Sequence, residues 1–247
     1  MDTKLFTKNE LMFPAIILSI GFVMSASVVS DTFYKIRGLD NVISVTGSTK
    51  TRVTSDSVKW SSSISRTVTE SNMKNGYSEL SVDLSIMKKF FASKGIKDSE
   101  ITISPVFTNE VYKYNSNGNT GPREFTLMQN ITINSIDIPK ITEMAKNTQD
   151  IIDKGVFFSN QSPEYYYSKL SDLRVNLLGD AIKDAKARAE ILAGSGGRSV
   201  GAMKSAASGV VQVLAPNSIE VSDYGQYDTS SIDKDIMVTA RASFIVQ

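Results

Sequence analysis

No cysteine and no histidine occur among the 247 residues. The first absence excludes a thiol nucleophile, a disulfide framework and a thiolate metal site. The second removes Ser-His-Asp triads, imidazole proton shuttles and nearly all zinc sites. Any catalysis would therefore rest on Asp, Glu, Lys or Tyr alone. No charge of one sign dominates either: 27 Lys and Arg stand against 26 Asp and Glu, for a net charge of +1. Basic residues are scattered, and the densest group, Lys183, Lys186 and Arg188, alternates with acids. No nucleic-acid partner is expected, because that would need a basic face. Hydrophobic content of 41% and charged content of 21% are ordinary globular proportions, so disorder is not the default. The length leaves room for one large domain or two small ones after the N-terminal segment.

That segment holds the longest apolar run. Leu11 to Ser30 is 20 residues without a charge, between Glu10 and Asp31. A helix of that length rises about 30 Å, the thickness of a hydrocarbon core. Ile16, Ile17, Leu18, Ile20, Phe22 and Val23 make its centre apolar, and Pro14 falls in the first turn, where a missing N–H costs little. Two readings compete: a single transmembrane anchor, or a signal peptide cleaved near Ser25-Ala26-Ser27. A buried helix of a soluble domain is disfavoured, because no polar face recurs at a helical period. Lys4 and Lys8 before the span nearly balance Lys35 and Arg37 after it under the positive-inside rule. A short N-terminal tail favours a cytoplasmic N-terminus. The expectation is a single-pass inner-membrane protein with its domain in the periplasm; the alternative is a periplasmic protein after signal cleavage. Residues 1–35 form the anchor, 36–41 a linker broken at Gly38, and 42–247 the folded domain.

Within 42–247 the hydrophobic period switches repeatedly. Val42 to Gly47 reads as a short strand. From Val58 to Val68, apolar Val58, Trp60, Ile64 and Val68 alternate with Lys59, Ser61, Ser63, Ser65 and Thr67, the mark of a half-buried antiparallel strand. Met73, Tyr77, Leu80, Leu84, Met87 and Phe91 then step by three and four, which predicts an amphipathic helix capped by Ser71 and stopped at Gly95. Ile101, Ile103 and Phe107 alternate in one strand, and Phe125, Leu127, Ile131 and Ile133 in the next. Between them Tyr112 and Tyr114 lead into the turn-rich tip Asn115–Gly121 of a long hairpin. Asp137 caps a second helix with Pro139 in its first turn; its face is Ile141, Ala145, Thr148 and Ile152, and Gly155 ends it. A strand interrupted by Pro163 covers Phe157 to Tyr167. The third helix presents Val175, Leu178, Ile182, Ala185, Ala189 and Leu192 and closes at Gly194. Val200 to Leu214 is a strand region, Asn217 to Lys234 a polar loop, and Ile236 to Val246 a final strand. Strand-strand-helix thus occurs twice, and the fold class is α+β: a mostly antiparallel sheet with helices packed on one face.

No constellation carries a recognisable chemistry. Gly194-Ser195-Gly196-Gly197-Arg198-Ser199 has the composition of a phosphate loop, but it follows a helix and precedes a strand, the reverse of a dinucleotide loop. It reads as a helix C-cap. Asp223, Asp228, Asp233 and Asp235 lack the spacing of a calcium loop. Asp180, Asp184 and Glu190, interleaved with Lys183, Lys186 and Arg188, are a charged helix face, not a general acid–base pair in a cleft. No catalytic, cofactor-binding or metal-binding residue is assigned, and no cofactor is expected.

Several stretches resemble the SIMPL-domain family, once described as a domain of unknown function. Ile43-Ser44-Val45-Thr46-Gly47, followed by Val53 and Asp56, resembles its opening strand. Gly95-Ile96-Lys97 followed by Asp98-Ser99-Glu100-Ile101 is similar to its step from helix to strand. Ala181, Ala185, Ala187-Arg188-Ala189-Glu190 and Leu192-Ala193, followed by Gly197, Val200 and Gly201, resemble its alanine-rich helix and glycine turn. Val238-Thr239-Ala240-Arg241-Ala242-Ser243-Phe244 resembles its last strand. The resemblance spans roughly 42–247. It implies an α+β domain, a bacterial envelope location and a tendency to self-assemble, with no catalytic residues to carry over. The functional expectation is a non-enzymatic envelope protein that forms homo-oligomers or binds a protein partner, in envelope stress or structural maintenance. Two alternatives stand beside it: a small-molecule or lipid-binding module using a sheet face lined by Trp60, Phe107 and Tyr112, and a hydrolase using carboxylates alone.

Overall fold

The computed structural model describes residues 12–38, 41–112, 122–220 and 222–247. The expected hairpin tip Asn115–Gly121, with Tyr114, and the flanking Lys4 and Lys8 lie outside the described residues. The first helix, α1, runs Met12–Gly38. Its stretch Pro14–Tyr34 is long and apolar enough to cross a membrane, with none of it buried against protein. Ser19, Ser27 and Thr32 each return their hydroxyl to the carbonyl four residues earlier at 2.8 Å, which pairs these three donors within the helix. The helix ends at Gly38, the residue expected to break it, so residues 36–38 of the expected linker belong to α1.

Residues from β1 (Val42–Thr54) to β10 (Asp233–Val246) contribute to two compact units. The first takes residues up to Thr49, Leu178–Gly209 and Val238–Gln247; the second takes Lys50–Leu177 and Val210–Met237. A four-stranded sheet has the order β1-β10-β8-β9, with β8 at Val200–Leu214 and β9 at Gln226–Tyr227. The short strand expected at Val42–Gly47 therefore runs seven residues further, to Thr54.

In the first unit the core is small: Val45, Ala185, Ala189, Ala242 and Phe244, with Ile43 and Val200 packed against them. The helix α5 (Leu170–Ser195) faces this core with Ala181, Ala185, Ala189 and Ala193, all buried and four residues apart. Gly47 explains why these positions are alanine. A Cβ built on it would stand 2.1 Å from the carbonyl oxygen of Ala181 and 2.3 Å from the amide nitrogen of Ala185. The helix backbone rests on the strand backbone, and larger side chains have no room between them. The expected stripe is corrected accordingly: Val175 and Leu192 are exposed. The helix runs through the expected stop at Gly194 to Ser195, and the turn after it uses Gly197 (φ 69°), with the amide of Arg198 returning to the carbonyl of Ala193 at 2.9 Å.

The second unit carries the large core. Its six-stranded sheet contains β2 (Ser57–Thr69), β3 (Ile101–Ile103), β4 (Phe107–Val111), β5 (Glu124–Ser135), β6 (Phe158–Asn160) and β7 (Glu164–Tyr166). β2 and β5 pair antiparallel from Val58↔Ser135 to Thr69↔Glu124. That register stacks Trp60 beside Ile133 and keeps the apolar set of each strand on one face. The helices α2 (Met73–Ser93), α3 (Ile138–Lys146) and α4 (Gln149–Ile152) supply the rest: Leu80, Met87 and Phe91, then Ile141 and Ile151, are buried with Trp60, Ile64, Leu127, Ile131 and Ile133. Arg66 on β2 and Asp83 on α2 form a two-pronged ion pair, Nε to Oδ2 at 2.6 Å and Nη2 to Oδ1 at 2.7 Å.

Several local expectations shift. Asn72, not Ser71, precedes α2, after one turn of 3₁₀ helix at Glu70–Asn72. Tyr77 lies outside the core and bonds Thr108 through its hydroxyl at 2.8 Å, while Gly76, Asp83 and Phe90 turn inward. Gly95 (φ 75°) does end the helix, with the amide of Ile96 on the carbonyl of Phe91. The strand expected over Ile101–Phe107 is two strands, because Ser104-Pro105 interrupts the ladder. The second helix breaks at Asn147, so Ile151 is buried and Ile152 is exposed.

Candidate functional site

The acids singled out in the sequence go to separate structural tasks. Burial pushes the Asp228 carboxyl up, but hydrogen bonds from Ser230 and Ser231 more than offset that and hold it at about 2. Lys234, whose side chain is wholly buried, donates to the carbonyl oxygens of Asp228 and Ser231 and lies 5.8 Å over the Tyr227 ring. Burial pulls its ammonium below the usual lysine range. Asp235 sits beneath Arg52, which donates at 2.8 and 3.1 Å, and Lys50, at 3.2 Å; the Arg52 hydrogen bonds hold it far below the usual carboxylate range. Asp233 accepts from Thr54. Asp184 accepts the amide of Ser48 at 2.8 Å and the guanidinium of Arg188 at 2.7 Å. Among the described residues no three acids converge as metal ligands.

The aromatic face expected for a ligand is not assembled. Trp60 is sealed in the core, edge-on to Phe91 at 6.0 Å and Phe158 at 6.2 Å, and its Nε1 donates to Asn160 and to the carbonyl of Gln161. Phe107 and Tyr112 are exposed, away from it.

Sequence reasoning missed a cleft of about 450 Å³ in the second unit, lined by Thr54, Ser55, Asp56, Ile136, Ile138, Pro139, Thr142, Glu143 and Ile232. The corner between β1 and β2 supplies one wall. There the amide of Ser55 donates to the carbonyl of Ile232 at 2.9 Å, and that of Asp56 to the carbonyl of Tyr166 at 3.0 Å. The Asp56 carboxylate accepts the amide and hydroxyl of Ser168 at 2.8 and 2.7 Å. The entry to α3 supplies the other wall, fixed by Asp137, whose Oδ1 caps the amide of Lys140. Two features stand out. Ser55 is 5% exposed, yet its hydroxyl has no hydrogen-bond partner; a buried polar group left unpaired costs about 1–3 kcal/mol. Ile136 is 85% exposed. It lines both this cleft and an adjoining one of about 390 Å³ that Tyr166 and Glu100 border. An apolar residue just before an N-cap, with another four residues into the helix, is the pattern of a hydrophobic staple. Ile136 and Ile141 have that spacing, but Ile141 is fully buried and Ile136 stands out in solvent. The spacing is visible in the sequence; that the staple is unmet is visible only in the structure, so no local signal marks the cleft.

The first unit offers a surface of another kind. Ala202 to Ser208 of β8 are all exposed, as are Ile191 and Leu192 on α5, away from its alanine stripe. β9 pairs with β8 only at Gln212 and Val213, so among the described residues the Val200–Gly209 stretch is a sheet edge. A family model described as SIMPL, protein of unknown function (DUF541), matches residues 43–243. The chain belongs to the SIMPL family. No curated protein matches it in a sequence search. The SIMPL match starts inside β1 and stops inside β10, so it takes in both units and leaves α1 outside. Two SIMPL-like motifs meet in space: Gly47 of the opening strand lies under Ala181 and Ala185 of the alanine-rich helix.

Proposed function

We propose that this SIMPL protein is a non-enzymatic component of the cell envelope. It is tethered by α1, with residues 42–247 on the periplasmic side, and it assembles with copies of itself through the outer edge of β8. One observation carries the reading: the exposed stretch Ala202–Ser208. Free sheet edges are usually blunted by charge, proline or bulges. Here one charged residue, Lys204, stands in seven, the others being Ala, Met and Ser. Small side chains let a second backbone approach and pair. The absence of histidine and cysteine, and the engagement of Asp184, Asp228 and Asp235 by local partners, support a role without catalysis. The apolar stretch Pro14–Tyr34 supports the tether.

The test is the mass of the full chain in lipid nanodiscs or mild detergent, by light scattering corrected for lipid or detergent. A discrete oligomer that survives dilution is expected. A strictly monomeric particle across the concentration range overturns the assembly reading.

A further inference from the structure

The cleft beside Ile136 has a chemical character that the assembly reading does not use. Its wall is apolar: Ile136, Ile138, Pro139 and Ile232. Its charged lining is of one sign, Asp56 and Glu143, with no Lys or Arg. The Asp56 oxygens are occupied by Ser168. Glu143 differs: it is exposed, its Oε1 takes the Asn147 side-chain amide, and on its other side it borders Lys94 and Lys140 in an adjoining cleft. Ser55, which also lines the cleft, adds a buried hydroxyl with no protein partner. Buried polar groups are almost always paired, and an exception asks for an unfilled partner. We propose that this cleft binds a small primary amine with an apolar body. The ammonium donates to Glu143 and to the Ser55 hydroxyl, and the body covers Ile136 and Ile232. A quaternary ammonium fits less well, because no aromatic ring lines the cleft to face it. An anion would meet two carboxylates. The volume falls within the range of small-ligand sites.

The experiment uses the full chain in lipid nanodiscs with isotope-labelled isoleucine methyl groups, titrated with benzylamine, benzyl alcohol and benzoate. Benzylamine is expected to shift the methyls of Ile136, Ile138 and Ile232 to saturation. The alcohol should bind about tenfold more weakly, a difference of about 1.4 kcal/mol, and benzoate should leave them unmoved. Glu143→Gln should remove the preference for the amine while leaving the response to the alcohol. Ser55→Ala should weaken benzylamine binding while raising the melting temperature of the free protein. Ile16, Ile17 and Ile20 on α1 report partition into the lipid: shifts confined to them overturn the proposal. So do equal affinities for amine and alcohol, or an unchanged amine affinity in Glu143→Gln. A monomer that still saturates with benzylamine would sink the assembly reading and keep this one.

Discussion

Gly47 and Ala181 are in backbone contact: a Cβ on the glycine would lie 2.1 Å from the alanine carbonyl oxygen. No rotamer change relieves such a clash, because both partners are main chain. Gly47→Ala should cost about 3 kcal/mol or more, the upper range for overpacking, read as a loss in urea midpoint. Gly179, on the same helix α5, has nothing within 4 Å of its ideal Cβ. Gly179→Ala should stabilise by about 0.5–1 kcal/mol through backbone entropy. Equal effects at the two positions would refute the close approach.

Asp83 is the buried half of the pair with Arg66. Asp83→Ala leaves a guanidinium facing the core and should destabilise by about 3 kcal/mol, the low end for a broken buried pair because Arg66 keeps some solvent contact. Replacing both, as Arg66→Met with Asp83→Leu, should recover most of that loss. A double variant whose loss equals the sum of the losses of Arg66→Met and Asp83→Leu alone would mean that the two residues act independently.

Stability should fall in acid through Asp228 and Asp235. Both carboxyls are depressed in the folded protein, so the folded state holds its negative charge at pH values where the unfolded chain has begun to take up protons. Their contribution is complete above the ordinary pKa of 3.8 and is lost as pH drops through the folded value, about 2 for Asp228. For Asp228 that is about 2 kcal/mol. Asp228→Asn should flatten the acid limb of a urea-midpoint profile. Lys234 works at the other end: burial lowers its pKa, so the cost of charging it is present in neutral solution and is relieved as pH rises toward 10.5. An acid limb unchanged by Asp228→Asn would contradict the role of the Ser230 and Ser231 hydrogen bonds.

Proline at the β8 edge should separate assembly from folding. Successive strand amides point to opposite sides, so of Ala206 and Ala207 one faces β10 and the other faces the open edge. Proline at the outward position removes no internal ladder bond. One of Ala206→Pro and Ala207→Pro should keep the thermal transition and lower the oligomer mass; the other should lose stability. Two folded variants with undiminished mass would place the interface elsewhere.

Elements with strong periodicity were legible in the sequence. The alternation from Val58 to Val68 became β2, the three-four spacing from Met73 became α2, and Asp137 caps α3 as its position before Pro139 implied. What failed did so for tertiary reasons. A hydrophobicity pattern selects large side chains, so it chose Val175 and Leu192 on α5; contact with Gly47 selects small ones, so alanines face inward. The break at Pro105 and the exposed Ile136 depend on neighbours far along the chain. The cleft joins residues 54–56, 136–143 and 232, and no local window holds all three.

The sheet order places β1 beside β10, and the carbonyl of Asn41 accepts the amide of Val246 at 2.8 Å. The first described strand therefore pairs with the last. During synthesis β1 must wait, unpaired on that side, while nearly two hundred residues emerge. Pairing over such a separation is slow and leaves edges exposed in the interval. Closure of this sheet therefore waits on β10: until Asp233–Val246 is in place, the side of β1 that it covers stays open to any other strand.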